Sequence, residues 1–552
     1  MATPFEISDA YVSQLVELSP EFATSIGDPR GADRWSDYGV AGQEALVGLA
    51  RATQSKLTEH VDHPDRDQRT AARVLSESLD RRIESHEAGD HLEDLGHLAS
   101  SFRGLRTTFD VMDRSSAAGW DAIAGRLERL PEAFEQYAAR LEAGRTAGRV
   151  VARRQTLSVA EQARALEGPG SAYRKLVDGA ERAGFGSERL AAADRAMAGA
   201  ADFARYLEET YVPSSRVRDA VGRETYERKA GQFLGMTVDA TEAYEWGWGE
   251  FHRLVEEMAR VAERIEPGST LESMTSRLEA DTELRADSAQ AFCEVIEARL
   301  ADAVDRLDGS HFDVDPRIHR ITVNIAPPGG ALGAYYTRPS EDFRRPGGVW
   351  YAVGGQTEFP LYHQISTAYH EGFPGHHLQI ATAMVNSDRL SRAHRLTVWY
   401  PGYGEGWAMY AERLMGELGF LERPEYEFGM LAKQLYRATR VVVDIGLHLE
   451  LRVPGSAPIG GGEPWSYQVA TEYMRRFGFR TEPQSHAEVL RYLGWPGQAI
   501  SYKIGEREIL SIRSETERRL GAGFDLKHFH SEMIGNGAMG LAMLRSEMSE
   551  RL

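Results

Sequence analysis

The residues best suited to chemistry lie in one short run, Tyr369-His370-Glu371-Gly372-Phe373-Pro374-Gly375-His376-His377-Leu378-Gln379. In the zinc-binding helix pattern His-Glu-x-x-His, two histidines one turn apart bind the metal and the glutamate acts as general base. Here Pro374 stands where the second histidine is expected, and His376 and His377 follow at offsets of six and seven from His370. The run therefore predicts a zinc-hydrolase helix that is interrupted in the middle.

This spacing requires a distorted backbone between the histidines. In an unbroken helix, an offset of seven returns to the same face but lies roughly 10 Å along the axis, and an offset of six points away. One zinc ion with bonds near ~2 Å cannot be shared over that rise. Pro374 removes a helical hydrogen bond and Gly375 permits unusual dihedrals, so a bulge here would return His376 or His377 to His370. The alternative is a kinked helix with surface histidines.

A zinc site needs a third protein ligand, and Glu405 is the first candidate. It lies 29 residues after His376 in Pro401-Gly402-Tyr403-Gly404-Glu405-Gly406-Trp407-Ala408. The preceding glycines suit a tight entry into a second helix. In the alternative interpretation, Glu405 only interacts with the positive N-terminal end of that helix. Glu412 is the second candidate ligand, because seven residues further on a helix it lies on the same face.

Three motifs occur together in the second half of the chain. They are the His-Glu run, the Glu405-Gly406-Trp407-Ala408 segment and the later run Pro496-Gly497-Gln498-Ala499-Ile500-Ser501-Tyr502. Together they resemble the large bacterial family called domain of unknown function 885, and the resemblance covers nearly the whole chain. That family is similar to helical glutamate-type zinc peptidases such as carboxypeptidase Taq and the oligopeptidases. The resemblance implies a helical zincin-like fold with a deep central cleft, and one Zn²⁺ per chain.

The same motifs suggest roles in a hydrolytic reaction. Glu371 would take a proton from water and pass it to the leaving amine. The oxygen that gains charge then needs a hydrogen-bond donor, for which Tyr502 is the first candidate and His448 and Tyr473 are alternatives. Ordinary packing of a tyrosine between helices is the competing interpretation of Tyr502.

Further candidates concern substrate binding. Arg440, Asp444 and His448 are each four residues apart in an apolar helical segment, which indicates either an internal ion pair or the wall of a site. Arg440 could bind a substrate carboxylate through two hydrogen bonds. The other residues predicted to line the cleft are Tyr335, Tyr336, Tyr351, Arg491, Tyr492 and Gln498.

Composition restricts the partners. The chain has 552 residues, is 42% hydrophobic and carries a formal net charge of −19, which argues against a nucleic-acid or anionic-membrane partner. The single Cys293 excludes an intrachain disulfide and a cysteine-based zinc site. The first residues lack a basic region followed by an apolar stretch, and no run approaches the length of a membrane span. A cytoplasmic protein without a membrane partner is expected; its oligomeric state is left open.

The elements that must position these residues are mainly helices. Residues 1–310 have helical apolar spacing and are predicted to form one side of the cleft, with Pro131 among the joints between helices. Residues 311–552 are predicted to form the catalytic region. Short strands are expected within 319–325, 334–337 and 349–353, with a turn at 327–330, and their edge could pair with an extended peptide. Helices are expected near 361–384, from Glu405, and near 428–452.

The sequence therefore predicts a zinc-dependent hydrolase, first of all a metallopeptidase that acts on a small peptide or amino-acid-derived substrate. A metal-dependent enzyme of another class is the second hypothesis, for example a biosynthetic hydrolase or lyase acting on a modified amino acid, because activated water can attack other bonds. A catalytically inactive helical binding protein is the third hypothesis.

Overall fold

The computed structural model describes residues 2–185, 189–326, 333–354 and 356–552. These residues form two compact units. The first unit comprises residues 1–220 with 391–397 and 493–495; the second comprises 221–390, 398–492 and 496–552. Every residue predicted for the site belongs to the second unit. The division at residue 310 into two sides of a cleft stays a prediction, and the expected turn at 327–330 lies outside the described residues.

The described residues are mainly helical, which confirms the predicted class. The α-helices are α1 Pro4–Leu18, α2 Pro20–Ile26, α3 Val40–Leu57, α4 Arg66–Glu87, α5 Ser101–Thr107, α6 Ala117–Thr146, α7 Arg153–Arg164, α8 Ala172–Arg182, α9 Leu190–Tyr206, α10 Val212–Ser214, α11 Arg223–Leu234, α12 Ala240–Ile265, α13 Leu271–Ala280, α14 Ala289–Leu307, α15 Gln364–Glu371, α16 His376–Val385, α17 Arg392–Thr397, α18 Pro401–Glu417, α19 Pro424–His448, α20 Tyr467–Arg476, α21 Glu482–Gly494, α22 Ser501–Leu520, α23 Leu526–Gly535 and α24 Leu541–Arg551. The strands are β1 Arg285–Ala286, β2 Ile321–Ile325, β3 Tyr335–Thr337, β4 Gly347–Tyr351 and β5 Phe359–Pro360.

In the first unit, α6 packs against α9 around a core of stacked aromatic rings. The ring centroids of Phe134 and Tyr137 lie 5.3 and 5.1 Å from that of Phe203. Pro131 lies inside α6 and not between two helices, so this prediction was wrong. Gly199 of α9 leaves room for the proline, because a Cβ there would lie 2.8 Å from the Cα of Pro131.

In the second unit, the strands form two small sheets. β4 is central in a three-stranded sheet, parallel to β2 and antiparallel to β3. All three predicted strands are therefore present, with bounds shifted by a few residues. β1 and β5 pair separately. β3 and β4 contact α16, so the sheet lies beside the helix that carries His376 and His377.

Two of the helices begin earlier than predicted. α18 begins at Pro401 and α19 at Pro424, and proline is favoured at the first helical position because its missing N–H has no helical partner there. Glu405 consequently lies in the second turn of α18 instead of at its start. α18 packs closely on α22, since a Cβ on Gly406 would lie 2.5 Å from the carbonyl carbon of Gly505.

The break between α15 and α16 shortens the chain path. The Gly375 N–H donates to the Tyr369 carbonyl over 3.0 Å, and the His377 N–H donates to the Gly372 carbonyl over 3.1 Å. These bonds span six and five residues instead of the helical four. A Cβ on Gly375 would lie 1.9 Å from the carbonyl oxygen of His370. The distortion predicted from the histidine spacing is therefore present, and it depends on glycine.

We expect Gly375→Ala to lose metal binding and to destabilise the second unit by about 1–3 kcal/mol, because the added methyl forces the segment apart. Metal titration and thermal unfolding measure both effects. Gly416→Ala is the matched control, since a Cβ in that helical position meets its nearest neighbour, a Leu421 methyl, at 3.4 Å. A Gly375→Ala protein that binds metal like the Gly416→Ala protein would contradict this account.

Candidate metal centre

The break brings two histidines and one glutamate together. The Oε2 atom of Glu405 lies 3.3 Å from Nε2 of His370 and 3.5 Å from Nε2 of His376. The two imidazole rings have centroids 5.0 Å apart and are nearly perpendicular. The three ligand atoms lie within 4.8 Å of one another. The structure therefore brings His376 and Glu405 to His370, and the assignment of these three residues as metal ligands stays a prediction.

A zinc ion fits these residues. The buried Oε2 of Glu405 makes no hydrogen bond to any described residue, although both imidazole nitrogens lie near it. Tetrahedral ligands bonded at ~2.0–2.1 Å to one zinc ion lie roughly 3.3 Å apart. The observed separations of Glu405 from His370 and His376 match that value. A buried carboxylate without a hydrogen-bond partner is costly, and a cation between the three residues would remove the cost.

Glu412 contacts the nitrogen of His370 that faces away from Glu405. Its Oε1 atom lies 2.8 Å from Nδ1 of His370, and its other oxygen accepts a hydrogen bond from Ser366. Because a carboxylate only accepts, Nδ1 of His370 carries the proton and Nε2 points to Glu405. Burial lowers the pKa of His370, but the nearby carboxylates of Glu405 and Glu412 outweigh burial and raise the pKa to about 9. Glu412 therefore orients His370 instead of joining the trio.

His377 lies outside the trio. Its Nε2–H donates to the Ile318 carbonyl over 2.7 Å, and its Nδ1 accepts from the Tyr336 hydroxyl at 3.1 Å. Burial lowers the pKa of His377 to about 4, so the ring stays neutral. Both ring nitrogens of His377 therefore form hydrogen bonds with residues around the three-stranded sheet. Tyr336 packs on His377, and Tyr335 stacks on Trp350, so the structure does not bring either tyrosine to the trio.

Glu371 is the last residue of α15 and follows His370 directly. Its side chain is buried, and none of the described residues hydrogen-bonds its carboxylate. Burial raises the pKa of Tyr351, and the negative charge of Glu371 raises it further, which places Glu371 near β4. The carboxylate is therefore enclosed and available for a proton.

Tyr502 lies between the trio and a group of arginines. The guanidinium carbon of Arg440 lies 4.7 Å from the Tyr502 ring centroid, and that of Arg437 lies 5.8 Å from it. Burial raises the pKa of Tyr502, and the charge of Glu405 raises it further. No described residue hydrogen-bonds the Tyr502 hydroxyl. Arg491 and Gln498 belong to the same region, joined by a 2.5 Å hydrogen bond from Nη2 of Arg491.

The other two oxyanion candidates are occupied elsewhere. His448 is fully buried, and its Nε2–H donates to the Tyr492 carbonyl over 3.0 Å. The Tyr473 hydroxyl donates to the Ile459 carbonyl. Asp444, one turn before His448, accepts bonds from the Tyr226 hydroxyl and from the Gly497 N–H at 2.8 and 3.0 Å. The Asp444–His448 pair therefore anchors the loop before α22 and is not brought to the trio.

Two residues near the centre were missed by sequence reasoning. Arg437 lies one turn before Arg440 on α19, and its Nη2 is 3.7 Å from Oε1 of Glu412. Its spacing of three residues from Arg440, which places both on one helix face, could have identified it from the sequence. Trp399 is 45% exposed, with its ring centroid 6.1 Å from that of His376. An exposed tryptophan carries no sequence signal of this kind.

Residues 20–548 match the model of a family described as bacterial protein of unknown function (DUF885). The chain belongs to the DUF885 family. The family resemblance predicted from the motifs is thus confirmed. No curated protein is significantly similar to this DUF885 protein.

Two solved structures share the fold of this DUF885 protein. The putative lipoprotein from Colwellia psychrerythraea is 21% identical, with a TM-score of 0.85 over 100% of this chain and 99% of that one. A putative lipoprotein of unknown function from Shewanella oneidensis is 18% identical, with a TM-score of 0.76 over 100% of both chains. At these identities the similarity shows the fold alone.

The predicted cytoplasmic location is contradicted by these two structures, because both proteins are described as putative lipoproteins. The prediction rested on the polar character of the first residues, which does not decide the location of a protein with this fold. In the part of the chain that the structure describes, no helix combines the length and apolar character needed to cross a bilayer.

We expect Glu412→Gln to lower the zinc affinity by about 10- to 100-fold, because His370 loses the carboxylate that orients it and raises its basicity. Competition with a chromophoric chelator measures the affinity. Glu417→Gln is the control, since that exposed glutamate on the same helix pairs with Arg513. Equal affinities of the two variants would contradict the supporting role of Glu412.

Asp444 gives a prediction for pH dependence. Burial raises the pKa of Asp444 to about 7, above its ordinary value of 3.8. Because the folded state favours the protonated acid, the stabilisation is present below about pH 4 and is lost as pH rises through about 7. The loss is at most about 4 kcal/mol. We expect Asp444→Asn to flatten the decline of the melting temperature between pH 5 and 8; an unchanged decline would contradict it.

Proposed function

We propose that this DUF885 protein is a zinc-dependent hydrolase, and specifically a metallopeptidase that cleaves a peptide or amide bond of a small substrate. The observation that carries the proposal is the trio of His370 and His376, which are buried, and Glu405, which is half-buried, with the spacing of zinc ligands. Two imidazoles and one carboxylate suit a catalytic zinc site, which keeps a fourth position open. When bound, zinc supplies a Lewis acid for the scissile carbonyl and lowers the pKa of a water to about 7.

Glu371 is the proposed general base. It is adjacent in sequence to His370, is buried, and makes no hydrogen bond to the described residues that would hold its proton-accepting oxygens elsewhere. Its carboxylate takes a proton from the attacking water and delivers it to the nitrogen of the leaving amine.

Tyr502 is the proposed donor to the oxygen that gains negative charge. Its raised pKa keeps the phenol protonated at neutral pH, so the hydroxyl donates and does not compete as an anion. A donor already in place stabilises the charge that develops in the transition state. Of the three candidates, Tyr502 is the one whose donor group, the hydroxyl, forms no hydrogen bond with a described residue.

The test combines metal content with turnover. We expect about one zinc per chain in the wild type by elemental mass spectrometry, and loss of metal and activity in His370→Ala and His376→Ala. His377→Ala is the matched control and should retain metal, since its nitrogens bond to Ile318 and Tyr336. Absence of metal from the wild type after incubation with zinc would sink the proposal.

Glu371→Gln separates chemistry from metal binding. We expect this variant to retain zinc and to lose at least about 100-fold in turnover of a peptide panel, because the general base is gone. Peptides with free and with blocked termini form the panel. Turnover equal to that of the wild type would remove Glu371 from the mechanism. Zinc binding without turnover of any peptide by the wild type would favour the non-peptidase enzyme.

A further inference from the structure

The most unusual charges outside the trio are guanidinium groups buried beside it. Arg437 and Arg440, one turn apart on α19, have side chains only 10% and 5% exposed. Arg480 and Arg440 both lie over the Tyr436 ring, with their guanidinium carbons 4.2 and 4.1 Å from its centroid. Arg491 lies within reach of Glu488 at 3.6 Å. Four arginines thus share one small region of the second unit.

The carboxylates of the described residues in this region are fewer. Glu488 lies 3.3 Å from Arg440, and burial raises its pKa less than Arg440, Arg491 and Arg480 lower it, so the pKa falls to about 2. Glu412 is shared between Arg437 and His370. Two carboxylates therefore face four guanidinium groups, which leaves a positive excess in a place where unbalanced charge is costly.

Three guanidinium nitrogens of this group are buried and have no acceptor among the described residues. They are Nη1 of Arg440, Nε of Arg437 and Nε of Arg480, and the first two belong to α19. The other two nitrogens of Arg440 donate to Tyr492 and Tyr436, and Nη1 of Arg437 donates to the Lys433 carbonyl. Each of these two arginines is thus held by at least one hydrogen bond and keeps an unused donor nitrogen. Fixed, desolvated donors bind an anionic acceptor more strongly than mobile surface donors do.

This region adjoins the trio. Arg437 contacts Glu412, and Glu412 contacts His370. The Tyr502 ring lies against both arginines, and Tyr502 also feels the charge of Glu405. An anionic group seated on Arg437 and Arg440 would therefore belong to the same molecule whose scissile bond lies at the trio.

We infer that the substrate carries a free carboxylate that binds the unused donors of Arg437 and Arg440, so that cleavage occurs near the carboxyl end of a short peptide or acylated amino acid. This inference rests on the proposed function and specifies its substrate class. A carboxylate offers two acceptor oxygens for the two donors. It also balances the positive excess with one charge.

The kinetic test compares peptides of one sequence with a free or an amidated C-terminus. We expect the wild type to prefer the free acid by about 10- to 100-fold in kcat/KM, which corresponds to the ~1.5–3 kcal/mol of a hydrogen bond to a charged group. Arg440→Gln and, separately, Arg437→Gln should lose that preference, which is measured within each variant as the ratio of kcat/KM for the acid to kcat/KM for the amide. Arg475→Gln is the control, because this exposed arginine pairs with Glu472 at the surface.

A binding test keeps the two proposals separate. Calorimetry on the Glu371→Gln protein should show N-acetyl amino acids binding as acids and not as amides, with loss of binding in Arg440→Gln. Selective acid binding without peptide turnover by the wild type would support the inference and sink the hydrolase. Equal turnover of acid and amide would overturn the inference and leave the hydrolase intact.

The source of the carboxylate is also distinguishable. If the terminal carboxylate is recognised, an amidated peptide that ends in glutamate should have a low kcat/KM. If its kcat/KM equals that of the free acid, the recognised carboxylate is that of a side chain, and the substrate class stands. Inorganic phosphate is the remaining probe. Phosphate that binds more tightly than the N-acetyl amino acid, with the same loss in Arg440→Gln, would overturn the carboxylate assignment. Melting curves of the arginine variants establish that each one is folded.

Discussion

The site depends on a close approach of backbone to backbone between α15 and α16. Without Cβ at position 375, the chain turns back on the carbonyl of His370, and six residues advance by far less than their helical rise. This brings His376 to the face of His370 that Glu405 approaches from α18. The Trp407 indole N–H donates to the Pro374 carbonyl, so the same helix that supplies Glu405 also holds the break. The trio and the support of the backbone break therefore depend on the same helix, α18.

Buried charge is the second constraint, and it connects the trio to α19. Glu405 and Glu412 are both enclosed, and each is balanced from more than one side: Glu405 by two imidazoles, Glu412 by His370, Ser366 and Arg437. Because an uncompensated buried charge costs several kcal/mol, these residues hold one another in position. The same requirement makes the excess of guanidinium groups near Tyr502 informative, since no described carboxylate balances it.

The local part of this arrangement could be predicted from the sequence. The offsets of the histidines, with Pro374 and Gly375 between them, require a distortion, and glycine at 375 permits it. The mainly helical class and three short strands also follow from periodicity. The choice between His376 and His377 could not be made, because it depends on Ile318 and Tyr336, which lie 59 and 41 residues from His377. The choice between Glu405 and Glu412 depends on which nitrogen of His370 each glutamate faces, since Glu405 lies near Nε2 and Glu412 near Nδ1.

Contacts with residues distant in the sequence likewise determine the surroundings of the three polar residues on α19. Arg440, Asp444 and His448 share a spacing, yet they serve different surroundings: Arg440 lies on Tyr502 near the trio, whereas Asp444 bonds Tyr226 and the backbone of Gly497. The helical spacing of residues indicates that they share one face of a helix, but it does not indicate which residues pack against each turn of that face. The fold does not indicate a function either. The two proteins that share it at about 20% identity are described only as putative lipoproteins, one of them of unknown function. Function must therefore be argued from the side chains of the site, namely the trio and the unused donors beside it.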